Sequence, residues 1–129
     1  MSVEGVKRFI EILARDFKVP PPNLEVLKPE VMMWRVGYAD APAFYHAERE
    51  TMIIREDSVE LGNLLHEFVH HLQYIRSGRD ADKAFPVEEV ASKPHCQRSF
   101  EIEAKIIASD YEDFYRELWE VMVRGRRGS

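Results

Sequence analysis

Two histidines and a glutamate stand close enough in this chain to act on one atom: His66-Glu67-Phe68-Val69-His70. If the segment is helical, His66 and His70 share a face with Cβ atoms about 5–6 Å apart. That separation suits two adjacent corners of a zinc tetrahedron. Glu67 then lies beside the pair but turned to its flank, where a carboxylate can reach a metal-bound water without ligating the metal. The chemistry implied is attack by an activated water, with Glu67 as general base. His71 points about 100° away from His70, toward the edge of the core, and reads as structural.

The pattern around the motif is that of an amphipathic helix. Leu61, Leu64, Leu65, Phe68, Leu72 and Ile75 gather on one side, and His66 and His70 fall nearly opposite. Histidines buried only for packing would lie inside that stripe. Asp57-Ser58-Val59-Glu60 has the form of a capping box that opens the helix, and Ser77-Gly78 closes it after Arg76.

A catalytic zinc takes three protein ligands and keeps one open position. The metzincin pattern would supply a glycine at position 73 and a histidine at position 76, where this chain has Gln73 and Arg76. His46, His95, Cys96 and the glutamates of the last helix remain as candidates. The residues alone do not separate Glu101 from Glu103, which flank the apolar stripe of that helix on opposite edges. Cys96 reads as a buried, inert thiol. Tyr45, Tyr74, His95, Tyr111 and Tyr115 are possible donors to an oxyanion, and each reads first as core or surface.

The elements that must position these groups can be read along the chain. Val6, Phe9, Ile10, Leu13 and Phe17 recur at helical spacing, so a helix is predicted from about Val3 to Phe17, ended by Pro20-Pro21-Pro22. Short strands are predicted at Leu24–Leu27 and Val31–Tyr38, the latter with Trp34, Val36 and Tyr38 on one face. Ala43–Ala47 and Thr51–Arg55 read as a hairpin across Glu48-Arg49-Glu50. Pro86-Val87-Glu88-Glu89 can start one or two helical turns. A last long helix is predicted from about Gln97 to Val123, with Phe100, Ala104, Ile107, Tyr111, Phe114, Leu118 and Met122 as its apolar stripe. The result is an α+β class: an N-terminal helix, a small mostly antiparallel sheet, the metal-bearing helix and a long C-terminal helix.

At 129 residues, with 45% hydrophobic and 32% charged, the chain fits one ordinary globular domain. The net charge of −5 argues against a nucleic-acid surface. No apolar run approaches the roughly 20 residues of a membrane span, no leader is visible at the N-terminus, and a single cysteine excludes an internal disulfide. A cytoplasmic location is the expectation. The basic residues from Arg124 to Ser129 read as a flexible tail.

The segment Leu61 to Gln73, followed by Ser99-Phe100-Glu101-Ile102-Glu103-Ala104, resembles the gluzincins, and more narrowly the very small minigluzincins. That resemblance implies a zincin-like fold and a zinc peptidase. It implies Zn2+ on His66, His70 and Glu101, the last as the glutamate three residues before Ala104, with Glu67 as the base. It further implies a peptide or protein substrate lying extended along a strand edge, for which Thr51–Arg55 is the candidate. It also implies a C-terminal end able to lie in the cleft. One departure is plain: Lys105 follows Ala104 where the family has Asp or Asn, so the usual outer partner of a ligand histidine is missing. The rival expectation is a zinc-stabilised regulatory or interaction protein. Glu67 discriminates between the two, since a purely structural site has no use for it.

Overall fold

The computed structural model describes residues 2–36 and 42–125. The chain opens with helix α1 (Val3–Asp16), whose N-cap Ser2 accepts a hydrogen bond from the Gly5 amide at 3.0 Å. Its apolar positions Val6, Phe9, Ile10 and Leu13 are buried, as the spacing predicts. The helix stops before the proline run. Lys18 adopts a positive φ of 58°, and the Val19 amide turns back onto the Ala14 carbonyl.

Strand β1 (Asn23–Leu27) follows, then helix α2 (Pro29–Val36). The strand predicted over Val31–Tyr38 is therefore corrected to a helix as far as Val36, with Tyr38 outside the described residues. Pro29 has its φ preset for a first helical position and Glu30 favours the positive helix N-terminus, while Met32 is fully buried. These signals outweigh the period-two reading.

Strands β2 (Ala43–His46) and β3 (Thr51–Arg55) form the predicted hairpin, with Glu50 at φ 47° in the turn. The sheet has the order β1-β3-β2. β2 runs antiparallel to β3, pairing Ala43 with Ile54 and His46 with Thr51, but β1 runs parallel to β3. The mostly antiparallel sheet expected is thus a mixed one, because α2 serves as the crossover that a parallel pair requires. Central placement also explains why Met52, Ile53 and Ile54 are all buried.

A 3-10 turn (Glu56–Ser58) leads into α3 (Leu61–Arg76), the helix that carries the motif. The capping box does not form. Asp57 is engaged by Arg55 and Ser58, and Glu60 occupies the N-cap position without a side-chain cap. Ser77 and Gly78 close the helix as predicted, Gly78 at φ 81°, where a side chain would be strained. Two short helices follow: α4 (Ala81–Ala84), capped by Asp80, and α5 (Val87–Ser92), which Pro86 begins.

The last helix, α6, runs Ser99–Met122. Its buried residues are Phe100, Ala104, Ala108, Tyr115 and Trp119, so the seam lies to one side of the predicted stripe. Phe114 is 73% exposed and Tyr111 is exposed as well. Small Ala108 lets α6 approach closely, and the Trp119 indole takes the place expected for an aliphatic residue. At its far end α6 meets α1. A Cβ on Gly5 would lie 2.1 Å from the Met122 carbonyl oxygen, so only glycine permits that approach. The Ser2 amide donates to the Val123 carbonyl at 3.2 Å. Arg124 begins roughly 35 Å along the helix from Glu101 at a rise of 1.5 Å per residue, and the tail expected to be able to lie in the cleft continues beyond it. Residues 126–129 are outside the described residues. Among the described residues, no helix is long and apolar enough to cross a membrane.

Candidate metal centre

The apolar face of α3 is buried as predicted, with Leu61, Leu64, Leu65, Phe68 and Leu72 each no more than 4% exposed. This places the His66–His70 face toward α6 and the short helices rather than toward water. The ring of His70 sits edge-on to Phe85 and Phe100, with centroids 5.6 and 6.2 Å away. β2, at the sheet edge, supplies the opposite wall through Ala43, Phe44 and Tyr45. β3 lies in the middle of the sheet with both edges paired, so it cannot be the cleft rim; β2 takes that place. Between these walls lies a cavity of about 750 Å³ with His66, Glu67, His70 and Glu101 in its lining.

Of the two glutamates left open by spacing, the fold brings Glu101 to the histidines. Its Oε1 lies 2.9 Å from His66 Nε2 and 2.8 Å from His70 Nε2. The donor atoms of His66, His70 and Glu101 all lie within 4.8 Å of one another, and these three residues can hold a metal ion. Metal–ligand bonds of about 2.0–2.2 Å call for donor separations near 3.3 Å, a small side-chain adjustment from those observed.

Glu103 does something else. Gln73 Nε2 donates to Glu103 Oε1 and to the Phe100 carbonyl, each at 2.9 Å, so the amide oxygen Oε1 must face the other way. There it accepts from His70 Nδ1 at 2.8 Å. Gln73 thereby holds the His70 ring from outside, the role for which the residue after Ala104, Lys105, offered no candidate. It was legible in principle, since it stands three residues beyond His70 on the same helical face. A consequence follows for the donor set. With the proton on Nδ1, a neutral His70 ring would turn the lone pair of Nε2 directly at the Glu101 carboxylate. A second ring proton or a cation between them relieves that repulsion, and a metal fits the donors present.

Without a metal, the electrostatics favour the second ring proton. Burial would push the Glu101 carboxyl up, but hydrogen bonds from His66 and His70 and the nearby His95 hold it well below the usual carboxylate range. Burial lowers His70, yet the Glu101 hydrogen bond and the Glu67 charge together raise it. Glu67 is 8% exposed, faces the cavity and has no hydrogen-bond partner in the protein among the described residues. Burial pushes its carboxyl up, opposed by His70 and His66. A carboxylate kept without a partner beside three potential ligands is placed to take a proton from a bound water.

Other candidates sort themselves by contact. His71 is fully buried: its Nε2 donates to the Pro20 carbonyl at 2.7 Å and its Nδ1 accepts from the Tyr45 hydroxyl at 2.8 Å. The structural reading of His71 holds, and Tyr45 is thereby occupied. Tyr115 donates to Asp16, Tyr74 is buried, and Tyr111 stacks edge-on to Phe17. Only His95 reaches the centre, with Nε2 2.8 Å from Glu101 Oε2. His46 accepts from the Arg49 amide in the hairpin turn and is not part of the cluster. Cys96 is exposed, not buried as predicted, because it lies in a 3-10 turn on the outer rim. Phe85 and Arg98, which line the cavity, were not singled out by spacing, having no periodic partner in the sequence.

In comparisons with protein-family models, curated proteins and solved structures, the chain matches none.

Proposed function

We propose that this chain is a zinc-dependent peptidase of the gluzincin type, resembling the minigluzincins, with His66, His70 and Glu101 as metal ligands and Glu67 as general base. The observation that carries the reading is the convergence of two imidazoles and one carboxylate next to a buried, partnerless carboxylate. Zinc on such donors supplies a water of lowered pKa and a Lewis acid for the carbonyl oxygen.

The protein's own groups account for the rest. His66 and His70 are held rigid by α3, and Gln73 orients His70 by accepting from Nδ1. Glu67 accepts one proton from the attacking water and passes it to the departing amine nitrogen as the C–N bond breaks, leaving an acid and an amine. Phe85, Phe100 and Phe44 give the cavity an apolar wall beside these groups. The rival, a metal-stabilised binding protein, draws on the same three ligands but leaves Glu67 buried at a cost with no return.

One matched experiment separates the two. Zinc content, melting temperature and cleavage of a broad peptide pool, with and without chelator, are compared for the parent and Glu67→Gln. Retained zinc and fold with hydrolysis lowered at least ~10²-fold supports the peptidase. Equal cleavage by the variant refutes the mechanism, and a parent inactive on every pool supports the binding protein.

A further inference from the structure

Among the described residues, the cavity wall carries one permanent cation, Arg98, and its bonding differs from that of the other paired arginines. Arg49, Arg55, Arg79, Arg116 and Arg124 each lie against a carboxylate. Arg98 instead donates to two main-chain carbonyls, from Nε to Lys93 at 3.2 Å and from Nη2 to Val90 at 3.0 Å. A guanidinium has five N–H donors, so two on Nη1 and one on Nη2 find no acceptor among the described residues. Those are the donors of its second edge, the geometry that meets a carboxylate through two parallel bonds. The carbonyl anchors fix the guanidinium in advance, so little side-chain freedom is left to lose on binding.

Position and charge point the same way. Arg98 is the N-cap residue of α6, one turn before Glu101, so it stands close to the reacting centre along the same element. Its neighbours in the wall, Phe85, Val90 and Phe100, are apolar. A dication on the three candidate ligands balances Glu67 and Glu101, which leaves Arg98 as excess positive charge on the cavity wall. Glu89 on α5 is already committed to Ser99 and Lys93.

We infer, resting on the peptidase reading above, that the cavity selects peptides presenting a carboxylate next to an apolar side chain, with Arg98 as the residue that reads the carboxylate. Its source is either a free C-terminus or an Asp or Glu side chain, and the test has an arm for each.

Binding is measured without turnover on the zinc-loaded Glu67→Gln chain, by titration calorimetry or NMR shifts. The first probe pair is acetyl-Ala-Ala-Phe with a free carboxylate and its carboxamide. The second is acetyl-Ala-Phe-Glu-Ala-amide and its Gln twin. In one pair the charged member is expected to bind roughly 10- to 100-fold more tightly, as a charge-assisted bidentate contact does. That preference should vanish with Arg98→Gln added and survive in part with Arg98→Lys. Equal or undetectable binding of both twins in both pairs overturns the inference, as does a preference undiminished in a folded Arg98→Gln chain. If Arg98→Gln fails to fold because the Val90 and Lys93 anchors are lost, the twin comparison without it still decides. Hydrolysis by the parent with no charge preference sinks this inference alone, whereas a carboxylate preference without any hydrolysis sinks the peptidase reading and leaves Arg98 as an anion receptor.

Discussion

The two ends of α6 are built on different physics. From Ser99 to Ala104, beside the buried Phe100 and Ala104, it makes a set of polar, directional contacts: Glu101 reaches two imidazoles of α3 and His95, while Glu103 and the Phe100 carbonyl hold Gln73. From Tyr115 to Val123 the contacts with α1 are chiefly apolar and interlocking, with the Tyr115–Asp16 hydrogen bond at their edge. Phe9 of α1 meets Trp119 and Tyr115 edge-on, with centroids 5.2 and 5.8 Å apart, and Trp119 is 1% exposed. One helix therefore fastens the fold at one end and presents a candidate metal ligand at the other. The lesson is that the stability of the domain and the affinity of its site should be separable by mutation, since Glu101 and Trp119 share no partner.

The sharpest break of that comparison is at the apolar end. Trp119→Ala opens a large void against Phe9 and should cost about 3–5 kcal/mol of stability. In the fraction that stays folded, metal affinity should be little changed. Chemical denaturation and a chelator competition on the same samples check both halves, and a metal affinity that falls with stability would show that the two ends are coupled.

At the polar end the order of effects is itself the prediction. Glu101→Gln should weaken metal binding most, because it removes a ligand charge. Gln73→Ala, which frees the His70 ring, should cost roughly 10- to 100-fold in affinity. Glu103→Gln should cost least, since an amide oxygen still accepts from Gln73. A chelator titration of the three variants ranks them, and Glu103→Gln exceeding Glu101→Gln would mean that the wrong glutamate has been taken as the ligand. The smallest effect belongs to the outside of the same helix: Phe114→Ser should shift stability by no more than about 0.5 kcal/mol, as thermal melting can show, because that ring is largely in solvent.

Local spacing made much of the molecule readable. The pairing of His66 with His70, the apolar face of α3, the stop at Gly78 and the burial of His71 all rest on geometry within a turn or two of helix, where residue order alone sets which side chains share a face. The same local reasoning went astray where two local patterns compete. Val31 to Val36 satisfies a strand alternation as well as a helix, and Pro29 with the burial of Met32 decides it. The Asp57 carboxylate has the form of a cap, but Arg55 is close enough to take it.

What only the tertiary structure decided is everything that depends on how α6 lies across α3. Glu101 and Glu103 are indistinguishable as positions on an isolated helix. The crossing turns the first toward the imidazoles and the second toward Gln73. The same crossing shifts the seam to Ala108, Tyr115 and Trp119 and leaves Phe114 outside. It also sets the cavity wall, where Arg98 and Phe85 come from segments with no periodicity. The physical reason is that periodicity tells which residues share a face but not the angle at which two faces meet. That angle is settled by packing summed over both helices, through contacts between residues far apart in the chain.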